Sequence, residues 1–244
     1  MTEADLRSLL DRITIADEVF DLRPDYRVLL IAVAGLEGGP TDVDAEAALR
    51  SAEAAARTAL AEGPPEDLPH VTAWREAYRS FGAKPQRTRN SLEALLRRAE
   101  SGLPRVDRLT DLYNALSVLH ELPIGGEDLT RYEGAPRLVR AQGDEGFDTV
   151  ANGAPATEHP NAGELVWRDD IGVTCRRWNW RQASRTRLEM DTTAALFVFD
   201  ALAPLTDGRL EAAGDDLLIR LGPGVRSSSR IISRPSTSAG AGGS

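Results

Sequence analysis

Tyr26-Arg27-Val28-Leu29-Leu30-Ile31-Ala32-Val33-Ala34 is an almost unbroken leucine and β-branched run of strand length, stopped by Gly35 and by Gly38-Gly39-Pro40. It predicts a buried strand from which a sheet is built, with a shorter strand ahead of it over 19–22. Outward from that run the pattern turns helical. Thr41 is read as the cap of a helix over 43–62. A second helix over 67–80 places Leu68, Val71, Trp74 and Tyr78 on one side at three- and four-residue spacing. Further helices are predicted over 91–99 and 106–120. After Pro123-Ile124-Gly125-Gly126 the texture changes to short strands over 137–141, 147–150, 164–168, 173–177 and 194–199, then a helix over 208–221. Helices and strands mix without βαβ alternation, so the expected fold class is α+β: a mixed, largely antiparallel sheet with packed helices. One domain is expected over 1–225, with an N-terminal extension over about 1–15. The Ser, Gly, Ala, Arg and Pro composition of 226–244 predicts a disordered tail.

Charge is divided along the chain. The net charge is −9, yet residues 1–70 alone carry 15 acids against 6 arginines. Residues 75–108 carry nine basic side chains against four acids, and residues 168–187 six arginines against Asp169 and Asp170. Two basic islands in an acidic protein can steer a polyanion to one face, and Arg75, Arg79, Lys84, Arg87 and Arg89 are the candidate RNA contacts. The single cysteine, Cys175, excludes an internal disulfide, and no cluster has metal-ligand spacing, so neither metal nor cofactor is expected. The apolar run is too short to cross a bilayer and no basic, apolar leader is present; a cytoplasmic protein with no membrane or DNA partner is expected. Phosphate-loop, dinucleotide, zinc and serine-hydrolase motifs are absent.

The densest chemistry lies in Thr174-Cys175-Arg176-Arg177-Trp178-Asn179-Trp180-Arg181-Gln182. Each indole, guanidinium and amide removed from water needs a partner or costs about 1–3 kcal/mol, so this mixture points to a ligand surface. Strand alternation would put Trp178 and Trp180 on one face and Arg177, Asn179 and Arg181 on the other, the second being the expected ligand face.

Three segments in order resemble a known family. They are Tyr78-Arg79-Ser80-Phe81-Gly82-Ala83-Lys84-Pro85; Leu109-Thr110-Asp111-Leu112-Tyr113-Asn114 leading to Leu122-Pro123-Ile124-Gly125-Gly126-Glu127-Asp128-Leu129; and Cys175 to Gln182. Together they resemble the free-standing B3/B4 proteins, similar to the B3/B4 editing module of the phenylalanyl-tRNA synthetase β subunit. That module hydrolyses tyrosine wrongly attached to the phenylalanine tRNA. The resemblance implies a trans-acting deacylase whose partner is a tRNA acceptor end carrying a non-cognate amino acid. An asparagine and a later histidine near the synthetase cleft match Asn114 and Gly125. The asparagine is kept and the histidine is glycine here, so the synthetase's proton handling does not transfer.

Hydrolysis of an aminoacyl ester needs an oriented water, a site for the α-amino group and donors for the oxyanion. Asn114, Asn179, Gln182 and the backbone N–H groups of Gly125 and Gly126 are the candidate donors, with Asn114, Gly125, Gly126 and Asn179 as the catalytic set. Asp128 is the expected amino-group acceptor. Arg177 and Arg181 suit phosphate, ribose or a polar side chain, Trp178 and Trp180 suit base stacking, and His159 is the histidine placed to titrate. A non-catalytic RNA- or protein-binding module, and a protein that binds or hydrolyses a small amino-acid derivative without tRNA, fit the same residues.

Overall fold

A computed structural model describes residues 1–235. In chain order the elements are α1 (Glu3–Arg12), β1 (Thr14–Ile15), α2 (Asp17–Leu22), β2 (Arg27–Ala34), α3 (Val43–Ala59), α4 (Pro69–Ser80), α5 (Ser91–Ala99), α6 (Arg108–Leu119), β3 (Ile124–Asp128), β4 (Arg137–Arg140), β5 (Phe147–Ala151), β6 (Ala154–Glu158), β7 (Leu165–Arg168), β8 (Val173–Arg176), β9 (Arg181–Gln182), β10 (Ala194–Ala201), α7 (Asp207–Leu221) and β11 (Arg226–Ser233). The fold is α+β. A four-stranded antiparallel sheet runs β11-β2-β10-β3, and a five-stranded sheet runs β1-β4-β7-β8-β9, parallel only between β1 and β4.

The apolar run forms β2, and its two-residue period feeds two cores. Leu29, Ile31 and Val33, with Ala195, Phe197 and Phe199 of β10, pack under α3, α6 and α7. Val28, Leu30 and Ala32 face the other way, onto Tyr26, Trp74, Trp178, Leu138 and Trp167. Buried on both faces, β2 therefore needs the unbroken hydrophobicity seen in its sequence. Helix starts follow local chemistry: Asp42, Asn90 and Asp107 accept from the third residue of α3, α5 and α6. Asp42 caps α3 in place of Thr41, whose hydroxyl donates to Asp111.

Four expectations are corrected. Residues 19–22 belong to helix α2, begun by Asp17 and Glu18, with Val19 and Phe20 buried; four residues hold too little periodicity to separate strand from helix. Ile124 to Asp128, not among the expected strands, is edge strand β3, paired with β10. Residues 1–15 supply Leu6, Leu10 and Ile13 to the second core. Arg226–Ser233, expected to be disordered, pairs along the whole of β2. Its ladder bonds are backbone bonds, indifferent to serine side chains, and satisfy a β2 edge that would otherwise lie open. Arg230 donates to the Leu10 and Ile13 carbonyls and Arg234 to that of Phe20, tying the strand to the N-terminal segment. The rest of the expected tail, 236–244, lies outside the described residues. Among the described residues no helix is long and apolar enough to cross a membrane.

Hydrogen exchange read by mass spectrometry checks the last strand. Peptides covering 226–233 are expected to exchange at least about 100-fold below random-coil rates, and exchange at the coil rate would restore the disordered tail.

Candidate functional site

Strand β8 ends at Arg176, and the next two residues take left-handed backbone angles, φ 48° at Arg177 and 70° at Trp178. Such angles cost a non-glycine residue roughly 1–2 kcal/mol, so the surroundings must hold them. Backbone bonds do so: Trp178 N–H to Leu165 C=O at 2.7 Å, Trp180 N–H to Arg176 C=O at 3.0 Å, and Ser91 N–H to Asn179 C=O at 3.0 Å. The turn breaks the alternation expected over 174–182. Trp178 swings inward and is 0% exposed, its ring centroid 4.8 Å from Tyr26 and 5.2 Å from Trp74. Arg177 swings outward to Glu164 and Thr88. The expected ligand face is thus corrected: Trp178, Asn179, Trp180, Arg181 and Gln182 share one crevice, and Arg177 does not line it.

That crevice, of about 270 Å³, is closed by α5 and α6 over the edge of the four-stranded sheet. Asn114 of α6 and Gly125 of β3 line it. Two carboxyls that the sequence reading missed also face it, Glu127 of β3 and Asp200 of β10. Both come from one sheet face, since Gly125 pairs with Val198 and Glu127 with Leu196. Tyr26 donates to Asp200 Oδ1 at 2.6 Å and Asn179 Nδ2 to Oδ2 at 3.1 Å, while Tyr78 donates to Asn179 Oδ1 at 2.9 Å. Tyr132 donates to Glu127, with the Thr174 hydroxyl alongside. These partners are hydroxyls and an amide, not cations. Burial therefore dominates and pushes each carboxyl up to about 7.

Several donors remain unused. The indole N–H groups of Trp167 and Trp178, Arg181 Nε and Ser91 Oγ have no hydrogen-bond partner, and all four residues line the crevice. The Trp178 N–H lies beside the Tyr26 hydroxyl without normal bonding geometry. Unpaired buried donors around a cavity are what a polar ligand would satisfy.

The expected residues separate clearly. Asn114, Gly125 and Asn179 meet in the crevice, but the Asn179 amide is held between Asp200 and Tyr78. Gly126 faces the opposite core, where an added Cβ would lie 2.8 Å from Leu188 and 3.1 Å from Phe197 and Tyr113. Gly125 cannot be a backbone donor to a ligand: its pairing with Val198 has the same parity as the Asp200 N–H to Pro123 C=O bond, which commits its N–H to the ladder. Asp128 points away from the crevice and is occupied by Thr130 and Thr192. Its neighbour Glu127 occupies the crevice side. Gln182 donates to the Gly126 carbonyl at 2.9 Å and lies 3.1 Å from where a Gly125 Cβ would stand. His159 is exposed, bonded through Nδ1 to the Glu145 carbonyl, and outside the crevice. Burial pushes the Cys175 thiol up, so it stays protonated.

Of the RNA candidates, Arg75 and Arg89 converge with Arg97 on buried Glu93. Arg79 is exposed on α4. Lys84 and Arg87 are exposed and line a second hollow with Phe81, Thr88, Arg177 and Trp180. Trp180 belongs to both hollows and carries the Arg177 and Arg181 guanidiniums 4.5 and 4.8 Å from its ring centroid. Among the described residues no group of three or more His, Cys, Asp or Glu could hold a metal ion.

The family profile described as the B3/4 domain matches residues 73–212. No curated protein matches the sequence. Among solved structures, the chain is similar to an N-terminal fragment of the phenylalanyl-tRNA synthetase β-subunit from Pyrococcus horikoshii, at 13% identity and a TM-score of 0.43, covering 88% of this chain and 49% of the fragment. The chain thus spans about half the length of that fragment.

The Glu127 carboxyl carries a stability signature. Its folded value of about 7 lies above the ordinary 4.5, so between those values the folded state binds more protons than the unfolded state. Stability falls as pH rises through that window and levels off above it, by roughly 3 kcal/mol in total. Glu127→Gln keeps an acceptor for Tyr132 and removes the charge. Thermal melts are expected to show the variant near wild type at pH 5 and more stable at pH 8, and equal melting shifts at both pH values would contradict the buried-charge account.

Proposed function

The chain belongs to the B3/4 domain family, and from the geometry of its crevice we propose that it is an aminoacyl-tRNA deacylase acting in trans on tRNA charged with a non-cognate amino acid. The observation that carries this reading is the shared wall: Trp180 joins a cavity of amino-acid size to a hollow edged by exposed Lys84 and Arg87. The first suits an aminoacyl group and the second a phosphodiester with a base stacked on an aromatic ring. The match to the B3/4 domain supports a module related to a tRNA synthetase.

A water attacks the ester carbonyl carbon, the carbon–oxygen bond to ribose breaks, and the water's proton passes to the departing ribose oxygen. Ribose leaves readily enough that positioning and oxyanion donors carry most of the work. Asn114 and the unpaired Arg181 Nε–H are the crevice groups suited to the oxyanion, and the α-ammonium finds a carboxylate at Asp200. The network that fixes Asn179 makes it a positioning residue for Asp200. A cytoplasmic location follows from this substrate.

A panel of mischarged tRNAs incubated with the protein tests the reading. Asn114→Ala is expected to slow release of the susceptible amino acid about 10- to 100-fold with an unchanged melting temperature. If no member is released faster than in buffer, a silent binding module is the correct reading; cleavage of small aminoacyl esters as fast as charged tRNA removes the RNA part.

Filter binding of uncharged tRNA at increasing salt tests the basic hollow. Lys84→Ala and Arg87→Ala are each expected to reduce the slope of log affinity against log salt by about 1. Unchanged slopes in both would place the RNA elsewhere.

A further inference from the structure

Glu127 and Asp200 enter the crevice from one sheet face with the Gly125–Val198 pair between them. Asp200 lies opposite Pro123, four positions from Glu127 along β3. At ~3.3 Å per residue their backbones are offset by roughly 13 Å along the strands, with Gly125, Val198 and the Gln182 amide between them. Independent of the acids, the Trp167 indole, 4% exposed, lines the same space, and its N–H has no partner. Two carboxyls without cations and an unused N–H suit a ligand with a cation at each end and an oxygen acceptor.

We infer that the crevice selects aminoacyl groups whose side chain ends in a cation, an ammonium or a guanidinium, with the α-ammonium at Asp200 and the side-chain cation at Glu127. The assignment of the ester rests on the deacylase reading; the recognition of the two cations does not. Asp200 takes the α-amino end because Asn179, its amide partner, directly precedes Trp180, the residue shared with the basic hollow. Glu127 lies at the far end, among Tyr132 and Thr174. The offset between the two acids suits a ligand whose two cations are separated by a stem of several carbons and is too long for a serine-sized side chain. Neighbouring cations do not occupy the acids. Arg181 at the rim is held by Glu158, Arg185 beyond Glu127 is held by Asp169, and Arg98 stands exposed on α5. Burial holds both carboxyls near 7 in the free protein, a cost that a cationic ligand offsets.

Adenosine esters of lysine, arginine, norleucine and serine separate the possibilities. Lysyl and arginyl esters are expected to show kcat/KM about tenfold or more above the norleucyl ester, and Glu127→Gln to bring that ratio towards one, mainly through KM. A wild-type ratio near one, a preference for the seryl ester, or an unchanged ratio in the variant would overturn the inference. If no ester is cleaved, calorimetry with lysinamide and norleucinamide decides. Lysinamide bound about tenfold tighter or more keeps the cation pocket while the deacylase reading falls; equal or undetectable binding of both amides removes the pocket too.

Discussion

Asp200 is a carboxyl group that water barely reaches, 2% exposed, and its hydrogen bonds tie together three separate parts of the chain. Through Tyr26 it fixes the start of β2, through Asn179 it fixes the left-handed turn after β8, and through Tyr78 beyond Asn179 it reaches α4. Truncating any member would leave another buried polar group unpaired at a cost of about 1–3 kcal/mol, and losses within such a chain are not independent. The turn it holds seats Trp178 against Tyr26 and Trp74 and places Trp180 between two hollows. Core and crevice are consequently built from the same residues.

This arrangement is expensive. A core designed for stability alone would put an apolar group or a neutral amide where Glu127 stands and would pair the indole of Trp167. Instead two carboxyls are kept where burial opposes their charge, and donors are left idle around them. Groups whose ionisation is shifted by desolvation in a cavity mark functional sites more often than structural ones, because the missing partner is supplied by the ligand. The basic side chains nearby show the contrast: Arg75, Arg89 and Arg97 share Glu93, whose carboxylate is neutralised within the protein.

The strongest sequence signals were those that tertiary structure had no cause to override. The β2 run and the capped helices α3, α5 and α6 follow from period and end chemistry. The 174–182 stretch stands out in composition and partly lines the crevice, but its geometry is not legible, because the two left-handed residues are arginine and tryptophan and no glycine announces the turn. Glu127 was hidden by parity: Glu127 and Asp128 are adjacent acids, and only the pairing of β3 with β10 decides which faces the cavity. Asp200 follows Phe199 at the end of a strand, where an acid ordinarily meets solvent; the Tyr26 hydroxyl, 174 residues away in sequence, is what draws it inside. β11 was unreadable for a different reason, since its pairing is backbone chemistry and its anchoring guanidiniums look like any surface arginine.

Gly125 and Gln182 form a coupled pair rather than two separate residues. A side chain at position 125 would project on the crevice face towards Gln182 Nε2, only 3.1 Å from its own Cβ, while Gln182 is fixed by the Gly126 carbonyl. A larger side chain could not stand there without displacing that amide, so the glycine is a packing requirement of the glutamine. With the amide in place, Gln182 stands over the floor between Asp200 and Glu127. In the proposed pocket a long side chain would run past the Gln182 amide, so recognition would rest on the acids at its two ends and not on a group at position 125.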